Sequence, residues 1–261
     1  MLTTPHEIST TLFNRVPKVT VDFWIIKLLA VTMGETAADY LAVNLGLGLG
    51  ATALLMSGVL AAAILVQFAQ RKYTPIPYWL AVVLISIVGT LLTDCLVDIF
   101  HVPLLTTTVF FTVVLALTFA VWYAAEKTLS IHSIFNTRRE IFYWLAILFT
   151  FSLGTGAGDL VAEHFELGYF TTGLLFAAII AGFAFGYYAL KLSAILMFWL
   201  AYIFTRPLGA SFGDLLSQPQ EYGGLGLGTV VTSFLFLVGI LALVGYLSVT
   251  HKDEERVAVN G

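Results

Sequence analysis

The sequence predicts an all-α membrane protein: eight transmembrane helices, arranged as four tandem two-helix repeats in a pseudo-symmetric parallel arrangement. Three observations predict it. Of the 261 residues, 59% are hydrophobic and 11% charged, and the mean hydropathy is +0.93, a balance that a soluble domain could hold only with a very large exposed apolar surface. Apolar stretches long enough to cross a hydrocarbon core of roughly 30 Å, which takes about 20 helical residues, recur along the whole chain. A short aromatic, glycine and aspartate motif recurs with them four times.

The spans fall at 20–44, 47–70, 78–100, 104–125, 141–162, 168–190, 192–216 and 225–249. None shows the alternating pattern of a barrel strand, and unpaired backbone cannot sit in lipid, so helices are the spanning form. The first span carries Lys27, Glu35 and Asp39; the seventh carries Arg206 followed by Pro207, where a kink is expected. The even spans open on small residues, Gly46, Gly48, Gly50 and Thr52 in the second and Gly224, Gly226, Gly228 and Thr229 in the eighth. Thr106, Thr107 and Thr108 open the fourth, and Thr171 and Thr172 the sixth, which close packing of hairpin partners would explain as well as a pore lining. No apolar stretch precedes the first span, so no cleavable signal is expected. Cys95 is the single cysteine, which excludes an intramolecular disulfide.

The formal net charge of −4 hides an asymmetry. Arg15, Lys18, Arg71, Lys72, Lys127, Arg138, Arg139, Lys191, Lys252 and Arg256 all lie on the side shared by both termini, and the opposite loops hold no Lys or Arg. The positive-inside rule makes that side cytoplasmic, so the expectation is a multi-pass protein of the bacterial inner membrane with both termini in the cytoplasm. Asp98, Glu163, Glu166 and Glu221 form an acidic rim on the other side. Nothing suggests nucleic-acid binding. His6, His101, His132, His164 and His251 fall in loops or tails, where solvated residues are the simpler reading than a metal vestibule around His101 and His164.

The motif reads FWIIKLLAVTMGETAAD at 23–39, YWLAVVLISIVGTLLTD at 78–94, YWLAILFTFSLGTGAGD at 143–159 and FWLAYIFTRPLGASFGD at 198–214. Aligned without a gap, it gives three columns: Trp24, Trp79, Trp144, Trp199; Gly34, Gly89, Gly154, Gly209; and Asp39, Asp94, Asp159, Asp214. Intervals between tryptophans of 55, 65 and 55 residues suggest a duplicated pair of hairpins. The expected units are a segment 1–19, repeats at 20–75, 76–130, 140–190 and 191–249, and a charged tail at 250–261. All four motif helices run the same way, so the repeats are related by rotation about the membrane normal rather than inverted. This chain resembles a bacterial membrane-protein family built from four tandem DUF347 repeats, each with two transmembrane regions and a signature tryptophan; that resemblance implies topology and leaves function to be argued from the residues.

At 1.5 Å per residue, Gly lies ~15 Å and Asp ~22 Å beyond a tryptophan expected at the membrane interface. The repeated Gly permits close helix approach. Four residues before each Asp stand Glu35, Thr90, Thr155 and Ala210, and four after it Val43, Asp98, Glu163 and Gln218, so each helix carries an oxygen-bearing stripe. A buried carboxylate costs about 2.5–3.5 kcal/mol on insertion scales, so it faces an interior, pairs, takes a proton or holds an ion. Arg206, at a depth that would meet Glu35, and Lys27 are the internal counter-charges.

The leading expectation is a cation transporter or exporter that uses the four aspartates with Glu35, Thr90, Thr155, Asp98 and Glu163, and favours a divalent metal of the Mn or Mg type ligated by Asp39, Asp94, Asp159 and Asp214, with proton coupling as an option. No cofactor is implied beyond that cation, no enzyme activity is expected, and the partners are lipid and inorganic cation, with homo-oligomerisation open. A membrane scaffold or regulatory protein, whose aspartates satisfy nearby backbone, is the alternative. Gly156 to Asp159 also reads GAGD, the G-x-G-D form of intramembrane aspartyl proteases, but the other three repeats lack its first glycine.

Overall fold

The computed structural model describes residues 12–250 and the pair Arg256–Val257; His6, His251, Lys252 and most of the charged tail lie outside the described residues. Eight long helices follow one another: α1 (Val21–Asp39), α2 (Leu49–Phe68), α3 (Pro75–Asp94), α4 (Leu104–Glu126), α5 (Thr137–Asp159), α6 (Tyr169–Tyr188), α7 (Ala194–Ser217) and α8 (Gly228–Thr250). Seven of them, α2 to α8, are long and apolar enough to cross a membrane. α1 stands apart because its 19 residues hold Asp22, Lys27, Glu35 and Asp39.

Local chemistry sets the helix starts. The side chains of Thr20, Asn136 and Ser193 cap α1, α5 and α7 by accepting from the amides of Phe23, Arg139 and Leu196. α3 opens with Pro75 in its first turn, where a missing amide costs nothing. Pro207 sits inside α7, which continues to Ser217.

The motif helices α1, α3, α5 and α7 pack in a closed ring, each against the next and α7 back against α1. The repeated glycines make the closure possible. A Cβ on Gly34 would collide with Ser86, one on Gly89 with Phe151, one on Gly154 with Arg206, and one on Gly209 with Val31. Each partner lies seven residues after its own tryptophan, so one contact is repeated four times around the axis. The glycines therefore serve packing, as their spacing suggested.

The outer helices depart from the expected hairpin packing. α2 begins beside the end of α1 but packs along α3; α4 packs on α5, α6 on α7, and α8 on α1. Within the first three hairpins the two helices scarcely touch, and in the fourth α7 meets α8 far less than it meets α6. Every repeat thus completes the next one, and the last completes the first. The apolar stretches of α2, α4, α6 and α8 are only 17–22% buried, against 56–67% for α3, α5 and α7, which leaves the outer helices the larger apolar exposure.

One end of the ring gathers both ends of the described chain, hereafter the near side. Leu12 and Phe13 pair antiparallel with Val257 and Arg256. Asn14 donates to the Ile131 carbonyl and accepts from the Ile134 amide, while its own carbonyl accepts from Tyr73. Arg15 bonds the fully buried Glu140 at 2.7 Å, and Glu140 also accepts from Gln67 and Trp144. These contacts bring together the near-side loops in which the sequence concentrates Lys and Arg.

The motif tryptophans lie at this end, but they turn inward rather than marking the interface. Trp79, Trp144 and Trp199 are buried and Trp24 half-buried, in a cluster with Phe23, Tyr78, Tyr143, Phe198 and Tyr202. Indole N–H groups are spent on protein acceptors, Tyr73 for Trp79 and the Leu129 carbonyl for Trp199.

Candidate functional site: an acidic chamber above a buried arginine

Counting from each tryptophan, positions 3, 7, 11 and 15 share the interior face of the ring, because four-residue steps keep side chains on one side of a helix. Reading outward from the near side, these layers change from dry and mixed to wet and acidic.

The third-position layer holds Lys27, Val82, Ile147 and Tyr202, and the seventh Val31, Ser86, Phe151 and Arg206, every one of them buried. Lys27 has no carboxylate partner among the described residues. Its ammonium donates to the Tyr202 carbonyl at 2.8 Å and to the Thr205 hydroxyl, and lies 3.8 Å from the centre of the Tyr202 ring. Phe151 stacks nearly parallel to Tyr202 and fills the space between Lys27 and Arg206. Further toward the near side, the Tyr78 and Tyr143 hydroxyls share a hydrogen bond of 2.5 Å.

Arg206 is fully buried at the centre of the ring. Its guanidinium donates to the Glu35 carboxylate at 2.6 Å, to Thr155 at 2.8 Å, to the Val31 carbonyl at 2.8 Å and to Thr90. Thr90 also lies 3.3 Å from Glu35 as a donor. Three of the four eleventh-position residues thus converge on the side chain that the fourth repeat supplies, while that repeat has Ala210 at the same position. The pairing of Arg206 with Glu35 is as their depths in the sequence suggested. Thr90 and Thr155, expected to face an ion, face the guanidinium instead.

Beyond Glu35 the ring opens into a cavity of 220 Å³ lined by Glu35, all four repeated aspartates, Asp98, Glu163 and Gln218, with Val97 and Leu104 as its apolar wall. Symmetry therefore gathers Asp39, Asp94, Asp159 and Asp214 into one chamber. Among the described residues none of these four side chains has a hydrogen bond or ion pair, and none caps the segment that follows. Of the seven acids lining the chamber only Glu35 has a cationic partner among the described residues, and Glu163 accepts from Tyr169 at 3.1 Å. Asp98 and Glu163 stand exposed at the mouth; Val43 is 75% exposed and lies off the chamber wall, which ends the stripe in the first repeat one step early.

Just past three of the aspartates, the helix widens into a π-helical turn, at Tyr40–Asn44, Cys95–Ile99 and Leu160–His164. Such turns re-aim the side chains around them and recur at functional sites. α7 has none and instead leads through Gln218 into a longer link. The sequence carries no glycine or proline signal for these turns. A column of buried threonines is masked in the sequence by unequal spacing: Thr52, Thr107 and Thr172 stand 28 residues after their tryptophans, but the fourth, Thr232, stands 33 after, displaced by that longer link.

Among the described residues no three acidic, histidine or cysteine side chains stand close enough to ligate one metal ion directly, the four aspartates included. His101 and His164 are exposed. The direct ligation of one divalent metal by Asp39, Asp94, Asp159 and Asp214 that the sequence suggested is therefore not the arrangement seen.

Comparison with known families agrees with the internal repeat. The family described as Repeat of Unknown Function (DUF347) matches four times, at residues 23–73, 77–128, 142–193 and 197–253, and the chain belongs to it. Neither the curated proteins nor the solved structures contain a match.

Proposed function

We propose that this ring of four repeats carries inorganic cations across a membrane, with the acidic chamber as the site where the cation is taken up. One observation carries the reading: four equivalent aspartates, one from each repeat, line a single cavity and have no hydrogen-bond or ion-pair partner among the described residues. Structural aspartates would be expected to hold backbone amides, as the scaffold reading required. A cluster of carboxylates inside a hydrophobic bundle needs compensation, and among the described residues only Glu35 has a cationic partner. Cations or protons in the chamber supply the rest.

All eight helices cross the membrane in this reading. α1 is included because Lys27, Glu35 and Asp39 face the ring interior rather than lipid. The near side, with its arginines and lysines, is cytoplasmic, and the chamber opens outward in a bacterial inner membrane. A divalent ion of the Mn or Mg class is favoured, since hard oxygen ligands and high negative charge select charge density, and Mg²⁺ in particular keeps several of its waters. Proton coupling fits the same carboxylates.

The test is uptake of Mn²⁺, Mg²⁺ and Ca²⁺ into proteoliposomes by the wild-type protein and by Asp94→Asn and Asp159→Asn. The reading expects flux in the wild type and none above empty vesicles in the variants, at equal folded yield. Equal flux in all three proteins would reject it.

A further inference from the structure

The layer beneath the chamber is organised around one group, the Arg206 guanidinium, and its acceptors come from three other helices. Glu35 and the Val31 carbonyl belong to α1, Thr90 to α3 and Thr155 to α5. Both terminal nitrogens are engaged, at 2.6–2.8 Å where the bonds are of ordinary length, while the buried Nε has no partner among the described residues. The acceptors therefore grip the end of the side chain, not its stem.

The stem is accommodated separately. Gly154 has no side chain where Arg206 Cβ and Cγ pass, and a Cβ there would strike both atoms. The residues at the equivalent position in the other repeats are Val31, Ser86 and Phe151, none of which carries charge. The arginine is thus a single asymmetric insertion into an otherwise repeated layer. Glu35 is likewise single, since the other repeats have Thr90, Thr155 and Ala210 in its place.

We infer that this layer is a second cation-binding position, shaped for a planar guanidinium and filled from within by Arg206. Nη2 faces Glu35, Thr90 and Thr155 while Nη1 faces the Val31 carbonyl, so the acceptors are spread over two nitrogens of one plane, a span that a single ammonium nitrogen or metal ion does not cover. Glu35 lines the chamber above while binding Arg206 below, so the two positions share one carboxylate. On the transport reading, from which this consequence follows, Arg206 is the barrier at the chamber floor, and a cation passes only when it competes the guanidinium off Glu35. The binding position itself stands without that reading.

The experiment is chemical rescue. Arg206→Ala vacates the position while leaving its acceptors, and purified Arg206→Ala protein is titrated with guanidinium chloride on the order of millimolar, where a weak specific site would fill and bulk denaturation is negligible. The expected result is a saturable rise in melting temperature with guanidinium that is absent with sodium or ethylammonium, absent in the wild type, and lost when Glu35→Gln is added. Retention of the rescue in Arg206→Ala with Asp159→Asn separates this position from the chamber, so it can hold even if no cation is transported.

A folded Arg206→Ala protein that ignores guanidinium would overturn the inference. If Arg206→Ala does not accumulate folded, it is expressed and purified with guanidinium present. Recovery of folded yield then supports the cradle, whereas recovery by Glu35→Gln alone, or by neither, overturns it.

Discussion

On the chamber side of the ring, the column 15 residues after each tryptophan is aspartate four times over, and none of the four has a hydrogen-bond or ion-pair partner among the described residues. On the near side, the columns three and seven residues after the tryptophan hold eight side chains of seven kinds, and all eight are buried. The backbone symmetry is the same in both halves. A packed interior needs complementary shapes, so identical residues meeting on an axis are poorly suited to fill it, and here the near half is diversified into Lys27, Tyr202, Phe151 and Arg206. Identical acids facing a cavity suit a guest that sits on the axis and is seen equally from every side. On the proposed function, this difference would make one half the seal and the other the binding site.

The strongest way to break this comparison is to attack the layer where the halves meet. Arg206→Met leaves Glu35 buried with no cation, and should cost about 3–5 kcal/mol of stability, with most of the loss recovered in the double variant Arg206→Met, Glu35→Gln. Thermal unfolding in detergent micelles measures both. A single variant as stable as the wild type would mean that Glu35 is not held by Arg206. Lys27→Met sharpens the contrast, since Lys27 has only neutral partners among the described residues; the same melt should show little change or a gain.

A smaller effect tests the ring itself. Gly209→Ala would press a methyl group against Val31 and should cost about 1–3 kcal/mol. Gly58→Ala, on the outer helix α2 with open space around it, should instead stabilise by roughly 0.5–1 kcal/mol through helix propensity. If the two glycines respond alike, the ring contacts do not depend on the repeated glycine.

The smallest loss of stability belongs to the chamber. Asp94→Asn and Asp159→Asn remove charge from a crowded acidic chamber without removing a hydrogen bond seen among the described residues, so the melting temperature should hold or rise and not fall. A loss of several kcal/mol would mean that these carboxylates hold structure together, as the scaffold reading proposes.

Much of this architecture was legible because the repeat is in register. Trp, Gly and Asp at fixed offsets placed the motif helices parallel, brought the glycines to helix contacts and put the aspartates at one depth. The Arg206 and Glu35 pairing could be read from matching depths. What packs against what could not, since a hairpin closing on itself and a hairpin leaning on the next repeat bury the same residues of the outer helix. The π-helical turns after Asp39, Asp94 and Asp159 had no signal, being backbone choices among ordinary residues such as Leu96 and Val161. The tryptophans read as interface anchors because the sequence shows that they are amphipathic, not which way they face. Thr90 and Thr155 were visible as oxygen donors near the axis, but their engagement with a guanidinium depends on a side chain from another repeat.

The central claim, that the chamber accepts a cation, is tested most directly by the melting temperature of the purified wild-type protein titrated with Mn²⁺ and Mg²⁺, beside the double variant Asp94→Asn, Asp159→Asn. A ligand bound only by the folded state adds about 2.7 kcal/mol at a hundredfold excess over its dissociation constant. The account predicts a rise with ion concentration in the wild type and a flat response in the variant. A wild-type protein whose melting temperature is indifferent to both ions, or a variant that responds equally, would contradict it.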